Sequence, residues 1–471
     1  MGNGVPLANR CRRERVREEL RAFGHGLDVW LKERRDRDVG HHHGSQLDFV
    51  EGYLRSARRN LDEQLEGLDG ALPEARFHEE CLGMELRALC LRRMWRFFRE
   101  RFDQRDDAVM GPLLRAADQV VWSTWQPVHE YVRLLGLPFQ AMPVPLPFID
   151  LEHSPALTRT VEPVPRELKR DAGKELLLSH LKKLPVQVIH LPVMCLHSPW
   201  WLVFIGHEVG HQVQGFLGLE DAFAESLCQT VRTEAQARGS PDALEDSLRW
   251  RGWAQEIFAD VFSLVSMGTA ALWALTEFAW RPSERMRESY DRRYPPAVIR
   301  LELMAQVAEA LGFGEEARRP LRGMEAARLV KGDPRAEREL ALVPRVVGLA
   351  LGRLPGVDCS FAEMLDFRHA HFEVDWPHVP EPINLLTSRR LASAALRGWL
   401  QTERIEADAR REEARRRLAE QALELLAAPY VLELRGEDAE ATASAGVLGK
   451  ELGALLAGMG PEALEMGEEA F

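Results

Sequence analysis

Apolar residues recur at helical spacing along most of this chain. In the first 140 residues, apolar side chains return every three or four positions, which predicts four long amphipathic helices. The predicted helices are Val16–Leu31, Leu47–Leu65, Phe77–Phe102 and Val109–Leu135. A fifth long pattern, Leu391–Ala428, carries many Arg/Glu pairs four residues apart and predicts either a coiled-coil-like arm or a solvated helix. We therefore expect a mostly α-helical protein.

Breaks in the helical pattern divide the chain into four predicted regions. Residues 1–140 form a helical N-terminal domain, and the proline-rich segment 141–169 follows as a connector or as a strap across the next domain. Residues 170–312 carry the chemically distinctive motifs. Residues 313–471 are again helical and end in an acidic tail, in which Val447–Leu456 predicts a docking helix.

The strongest chemical signal is the pentapeptide His207–His211, with the sequence HEVGH. On a helix, residues four apart lie one turn above each other, so the two imidazoles can bind one metal ion. Glu208 then lies beside the ion, within reach of a water molecule. Ser198 and Pro199 suit the start of such a helix. In the alternative interpretation, the two histidines are satisfied inside a core helix.

A zinc hydrolase needs a third protein ligand in addition to the two histidines. The pattern with a third histidine six residues further on is excluded, because Leu217 occupies that position. Glu256 is a better candidate, since it shares one face of an apolar helical pattern with Asp260. Two carboxylates on such a face are unfavourable unless they are paired or bound to metal. We expect Glu256 as the ligand and Asp260 as the acceptor of a ligand histidine's free N–H; Asp260 as the ligand stays open.

These residues resemble the gluzincin metallopeptidases, in which H-E-x-x-H is followed on a second helix by E-x-x-x-D. The second motif, Glu256 to Asp260, looks most like the branch of the CAAX prenyl endopeptidases and their soluble relatives. That branch also carries a His-Pro-x-x-x-x-Arg element. Tyr294 to Arg300 stands at a comparable place, with tyrosine instead of histidine. The resemblance covers residues 185–310.

The resemblance implies a zinc-dependent peptidase with a zincin-like α+β catalytic core over 170–312, containing a small sheet and flanked by helical N- and C-terminal regions. Its substrate would lie along an edge strand, for which Val186–Leu191 is the candidate. The ion would activate a water molecule and polarise the scissile carbonyl. The implied zinc ligands are His207, His211 and Glu256, the general base is Glu208, Asp260 orients a ligand, and Tyr294 or Arg300 stabilises the oxyanion.

Two other functions remain open for the same residues. The first is a catalytically inert zinc-binding protein with a regulatory or interaction role on a zincin fold. The second is a zinc hydrolase of a non-peptide amide, for which a closed pocket in place of an extended groove would be evidence. The regions outside 170–312 would restrict access to the site in the peptidase interpretation, or respond to a regulatory partner. The C-terminal helices could also mediate self-association.

Composition limits the cellular compartment in which we expect this protein and the kinds of partner that it would bind. The net charge of -12 argues against a general nucleic-acid binder. The six cysteines form no C-x-x-C pair, which fits a reducing cytoplasm. The first residues are rich in arginine and lack the apolar core of a signal peptide. Val261–Thr276 is uncharged but short for a membrane span, so it predicts a buried helix. We expect a cytoplasmic protein without a membrane span that acts on a peptide or protein substrate.

Two further histidine clusters and one insertion each allow two interpretations. His41–His43 predicts an exposed loop, with weak metal binding as the alternative. The cluster from His369 to His378 either lines the active-site cleft or is a satisfied group in an irregular loop. The insertion Leu219–Arg238 either overhangs the cleft or is a packing helix.

Overall fold

The structure, a computed structural model, is dominated by helices. It describes residues 6–37, 43–137, 143–149, 159–161, 175–182, 184, 187–282, 285–289, 292–372, 376, 385–427 and 439–459. The mostly α-helical fold expected from the periodicity is confirmed. The four domain ranges stay predictions.

Helices occur along the whole described chain, and five short 3₁₀-helices connect some of them. The α-helices are α1 (Leu7–Arg37), α2 (Gly44–Gly67), α3 (Glu74–Asp103), α4 (Met110–Leu135), α5 (Glu175–Lys182), α6 (Ile205–Phe216), α7 (Glu220–Ala237), α8 (Ala243–Gly252), α9 (Ala254–Met267), α10 (Thr269–Ala279), α11 (Ala297–Ala310), α12 (Glu315–Arg318), α13 (Ala326–Val330), α14 (Pro334–Ala350), α15 (Phe361–Met364), α16 (Leu385–Thr402), α17 (Asp408–Ala427) and α18 (Ala439–Gly458). The 3₁₀-helices are Gln104–Asp106, Val193–Leu196, Pro199–Phe204, Arg319–Leu321 and His369–Phe372.

The four helices predicted in the first 140 residues are confirmed as α1 to α4. The single long helix predicted over Leu391–Ala428 is wrong, because the chain breaks after Thr402 and resumes at Asp408. The resulting helices, α16 and α17, pack against each other and against α4. Leu418 and Leu426 of α17 are buried by this packing, so the apolar stripe of the pattern serves the protein's own core.

A small sheet lies between two apolar cores. Its strands are β1 (Leu146–Ile149), β2 (Arg159–Val161) and β3 (Val188–Leu191), in the order β1-β3-β2. β3 pairs with β1 in parallel and with β2 in antiparallel orientation. The predicted strand therefore exists, but its assignment as an edge strand is wrong, because both of its edges are hydrogen-bonded. Every residue of β3 is buried, as expected for a strand covered on both faces.

Alternate residues of the sheet contribute to different cores. Leu146 and Phe148 of β1 pack with the apolar residues of α1, α2 and α3, whereas Ile149 packs with the larger core. Successive side chains of a strand point to opposite faces, so one strand can serve both cores. The larger core combines α4 with α6 to α11 and with α14, α16 and α17.

The C-terminal helix α18 packs on the N-terminal helices, as the prediction of a docking helix at Val447–Leu456 required. Its Gly449 lies directly against the backbone of Tyr53 in α2, where any side chain would collide. Ser56 Oγ donates a hydrogen bond to the Gly446 carbonyl at 2.8 Å. Arg87 Nη2 donates to the carbonyls of Ala457 and Met459, at 3.1 and 3.2 Å, near the end of the helix. The two ends of the described chain thus share one core.

The exposed loop predicted at His41–His43 is wrong for His43, which is buried; the other two histidines lie outside the described residues. His43 Nε2 lies 3.2 Å from Asp118 Oδ2. Arg105 donates to both oxygens of Asp118, at 2.9 and 2.5 Å. Burial alone would raise the pKa of Asp118, but the charges of Arg105 and His43 outweigh it and lower this pKa to about 2.

The Asp118 network predicts a defined acid sensitivity. A carboxyl whose pKa is lower in the folded than in the unfolded chain stabilises the fold above its ordinary value of 3.8 and loses that effect as the pH falls towards 2. We expect Asp118→Asn to lower the free energy of unfolding by about 3 kcal/mol at pH 7, and by much less near pH 2. Urea unfolding at several pH values measures this. Asp28→Asn, which removes one partner of the exposed Arg55 pair, is the control; equal losses in both variants would contradict the prediction.

The uncharged stretch Val261–Thr276 is buried, as predicted, but forms parts of two helices instead of one. The break lies at Gly268, with φ +62° and ψ -155°, a conformation that residues with side chains rarely adopt. A Cβ there would also lie 2.8 Å from the Phe372 ring. No helix in the described ranges combines the length and the apolar run that a membrane crossing needs.

Candidate metal centre

The HEVGH motif lies on α6, which continues directly from the 3₁₀-helix Pro199–Phe204. Pro199 occupies the first position of that 3₁₀-helix, after Ser198, as the sequence predicts. Four of its apolar residues are fully or almost fully buried, so the segment ahead of α6 is held in the larger core. The HEVGH motif therefore follows directly on a segment that is anchored in the core.

Two glycines of α6 lie directly against α9. A Cβ on Gly210 would lie 2.8 Å from the Ala259 Cα, and one on Gly206 would lie 2.8 Å from the Met267 side chain. A side chain at Gly210 would collide with the α9 backbone, whereas one at Gly206 would require side chains of α9 to move, so it is chiefly Gly210 that permits this separation of the two helices. The glycines are four residues apart and therefore lie on one face of α6. Sequence reasoning missed them, although their spacing beside the motif is a signal that could have been used.

The close packing brings His207, His211 and Glu256 together. The Nε2 atoms of the two histidines are 3.2 Å apart. Glu256 Oε2 lies 3.4 Å from His207 Nε2, and its Oε1 lies 3.7 Å from His211 Nε2. Ligand atoms of the three residues all lie within 4.8 Å of one another, so these three of the described residues could together bind one metal ion.

These separations fit a zinc ion. Donor atoms at about 2.0–2.1 Å from a tetrahedral Zn²⁺ lie about 3.3 Å from each other. The three observed separations of 3.2, 3.4 and 3.7 Å are close to this value. Two imidazoles and one carboxylate are also a ligand set that zinc accepts while leaving one position open. The positions of His207, His211 and Glu256 therefore fit a zinc ion.

Contacts behind the three candidate ligands orient the His207 ring. His207 Nδ1 lies 2.8 Å from Asp260 Oδ1, which directs Nε2 towards the other ligands. Asp260 in turn accepts two hydrogen bonds from Arg300, at 2.6 and 2.8 Å. Arg300 Nη2 also lies 3.3 Å from Glu256 Oε2. The guanidinium thus contacts both carboxylates of the E-x-x-x-D motif.

The same contacts shift the pKa values of the cluster. Burial alone would lower the pKa of His207, but hydrogen bonds to Asp260 and Glu256 raise it to about 10. Burial and the charge of His207 lower the pKa of His211. Burial opposes ionisation of Asp260, but Arg300 holds its pKa well below the usual range. The pKa of Glu256 is also lowered, chiefly by its hydrogen bond with His207 against the effect of burial. Without metal, these contacts favour the protonated form of His207, so zinc binding would compete with that proton.

A cavity of about 490 Å³ opens beside the cluster and is lined by Glu208, Tyr294 and the three candidate ligands. Tyr294 precedes α11, and its ring lies 5.4 Å from the Arg300 guanidinium. Burial and the nearby Glu256 carboxylate raise the pKa of Tyr294. All seven residues singled out from the sequence therefore meet at one place; their roles stay predictions.

Other segments considered from the sequence do not line this cavity. Among the described residues, its lining comes from α6, α9, α10, α11 and the segments beside them, and from no strand. The insertion forms α7, which packs against α8 and α14. His369 contacts Phe313, and Arg390 lies 2.7 Å from His371 Nδ1. His378 lies outside the described residues. In the part of the chain that the structure describes, the histidine cluster is thus separate from the cavity lining.

Neutralising Asp260 is expected to weaken zinc binding. Asp260→Asn keeps the shape of the side chain but removes the charge that orients His207, and such second-layer changes reduce metal affinity about 10- to 100-fold. A competition titration against a chromophoric zinc chelator measures the change. Asp221→Asn, on the exposed surface of α7, should leave the affinity unchanged. Equal affinities of Asp260→Asn and the unchanged protein would contradict the orienting role.

Comparison of the chain with known protein families, with curated proteins and with solved structures gave no match.

Proposed function

We propose that this protein is a zinc-dependent hydrolase of amide bonds, with peptides as substrates. One observation carries the proposal: His207, His211 and Glu256 are spaced for a tetrahedral ion in the wall of a cavity that Glu208 also lines. The proposal includes a gluzincin-type centre on a zincin-like core. Zn²⁺ bound there would lower the pKa of a water molecule and polarise the substrate carbonyl.

The chain's own residues would divide the proton transfers. Glu208 would accept a proton from the attacking water as the C–O bond forms. It would then deliver this proton to the leaving nitrogen as the C–N bond breaks, so that one water is consumed and an acid and an amine are released. Glu208 is 6% exposed and lines the cavity beside the candidate ligands, where a substrate amide would have to lie.

The contacts favour different roles for Tyr294 and Arg300. Arg300 is buried and hydrogen-bonded to Asp260, so its charge would hold the E-x-x-x-D carboxylates in place. Tyr294 lines the cavity without being fully buried, and its raised pKa keeps the phenol protonated at neutral pH. Its hydroxyl would donate a hydrogen bond to the developing oxyanion.

Metal removal and restoration test the proposal. Purified full-length protein should contain about one zinc ion per chain and cleave members of a mixed peptide library, as mass spectrometry of the products would show. A chelator should abolish cleavage, and added Zn²⁺ should restore it. His211→Ala should lose both zinc and activity, whereas the exposed His197→Ala should lose neither. Zinc at full occupancy without any cleavage would support the inert, regulatory alternative instead.

A second candidate is hydrolysis of a small non-peptide amide. It is favoured by the lining of the cavity, which among the described residues contains no strand along which an extended peptide could lie. The central position of β3 points the same way, because its backbone groups are already hydrogen-bonded. Faster hydrolysis of N-acyl amino acids than of peptides longer than about four residues would favour this candidate.

A further inference from the structure

A buried arginine without a charged partner lies where the first turns of α16 pack against the 3₁₀-helix His369–Phe372. Arg389 is 2% exposed, and its Nη2 donates one hydrogen bond, to the Leu365 carbonyl at 2.8 Å. Within the part of the chain that the structure describes, Nε and Nη1 of the same guanidinium have no hydrogen-bond partner. Burying a cation with unused donors is unfavourable unless an anion offsets its charge.

The residues beside Arg389 add positive charge and connect it with the surface. Arg390 is partly exposed, and its Nε also has no hydrogen-bond partner among the described residues. Its Nη2 lies 2.7 Å from Nδ1 of the partly exposed His371. A guanidinium only donates hydrogen bonds, so Nδ1 accepts this one and His371 is neutral. The imidazole therefore contributes no negative charge to the cluster.

A single acidic side chain acts against this positive charge. Burial, and then the charge of Arg390, lower the pKa of Arg389 to about 9, and Asp366 opposes this effect. Arg389 still carries its charge at neutral pH. Asp366 Oδ1 also lies 3.4 Å from Arg368 Nε, and both of these side chains are 69% exposed, so water screens the charge of Asp366. The buried guanidinium is thus left without a close counter-charge.

We propose that Arg389 and Arg390 form a binding site for a phosphate group, separate from the candidate metal centre. Guanidinium groups bind phosphate oxygens through parallel N–H···O bonds, and the unused Nε and Nη1 of Arg389 are donors of this kind. The two negative charges of a phosphate would offset the two adjacent cations. The lining of the cavity beside the metal ligands includes none of these residues. The inference is independent of the proposed hydrolysis.

Calorimetric titration of the full-length protein with inorganic phosphate tests the site. We expect Arg389→Leu to weaken phosphate binding by about 10- to 100-fold, the effect of losing a hydrogen bond between charged groups. Arg416→Leu is the matched control, because this exposed arginine of α17 is paired with Glu413 and Glu420; its phosphate affinity should be unchanged. His211→Ala should also bind phosphate unchanged, which distinguishes the site from phosphate bound at a metal ion.

Glycerol phosphate provides the second arm of the titration. Tighter binding of inorganic phosphate would identify the free ion as the ligand, and tighter binding of glycerol phosphate would identify a phosphate monoester; either result supports the site. Failure of both to bind the unchanged protein, or equal binding by the unchanged protein and Arg389→Leu, would overturn it.

Urea unfolding separates a binding role of Arg389 from a structural one. In phosphate-free buffer the unfolding midpoint of Arg389→Leu should not fall, because leucine removes a buried charge that lacks a counter-charge. Phosphate should raise the midpoint of the unchanged protein but not that of the variant. A sharp fall in phosphate-free buffer would assign Arg389 a structural role and overturn the site. Arg390→Gln, at a partly exposed position, guards against misfolding and should weaken phosphate binding about tenfold; unchanged binding would contradict the proposal.

Discussion

Glu208→Gln is expected to lower kcat/KM for any amide substrate by about 10²- to 10⁴-fold, the range of a lost general base. Glutamine has nearly the same shape but cannot accept the water's proton. Zinc content should stay unchanged, because Glu208 is not among the residues whose donor atoms form the metal cluster. Steady-state kinetics on the best cleaved peptide, together with metal analysis of the same preparation, measures both quantities.

The kinetics of Glu208→Gln distinguish a defect in the chemical step from a defect in substrate binding. A loss in kcat with an unchanged KM would indicate that substrate binding is intact. Glu225→Gln, on α7 and outside the cavity lining, should leave both constants unaltered. Full activity of Glu208→Gln would rule out the proposed base, while loss of zinc in this variant would show that Glu208 has a ligand role instead.

Gly210→Ala is expected to disrupt both the fold around the site and the binding of zinc. The added Cβ would lie 2.8 Å from the Ala259 Cα and 3.1 Å from the Ala259 carbonyl oxygen, so the backbone of α9 would have to move. Forcing one extra carbon into such a contact lowers the free energy of unfolding by about 1–3 kcal/mol. The movement would also carry Glu256 away from the two histidines, because it lies on the same helix as Ala259.

A glycine on the same helix provides the matched control. A Cβ on Gly215 would meet the end of the Glu220 side chain at 3.3 Å, and that flexible carboxylate can move aside. Gly215→Ala should therefore stabilise the helix by about 0.5–1 kcal/mol. Chemical denaturation without metal and zinc titration compare the two variants. Equal midpoints and equal zinc affinities for Gly210→Ala and the unchanged protein would refute the close-packing argument.

Several parts of this site could be anticipated from the sequence because they depend on local spacing. The step of four residues between His207 and His211 places them on one face of any helix. The same spacing relates Glu256 and Asp260, and the structure brings both pairs to one place. The pairing of Asp260 with a ligand histidine was expected because a buried carboxylate needs a partner, and in the structure that histidine is His207. The interaction of Arg300 with both carboxylates was not expected, since nothing local links it to α9.

The predictions were wrong where contacts with distant parts of the chain decide whether a strand is central, a side chain is buried or a helix is continuous. Val186–Leu191 was correctly predicted to contain a strand, but its neighbours come from distant parts of the chain, so its central position had no local signal. His43 was predicted to be exposed because the His41–His43 run interrupts two helical patterns, whereas Asp118 and Arg105, far along the chain, hold it in the interior. The pattern Leu391–Ala428 was continuous, yet α16 and α17 each bury a face when the chain turns between them.

The sequence alone is enough to predict the helical character of the protein, the positions of its first four helices and the face on which each candidate ligand lies. These features follow from periodicity and spacing, which act over a few residues. The close approach of α6 to α9 and the pairing of β3 are visible only in the tertiary structure. Such features depend on contacts between distant segments, and the packing of Gly206 and Gly210 against α9 is the contact that brings His207, His211 and Glu256 within reach of one ion.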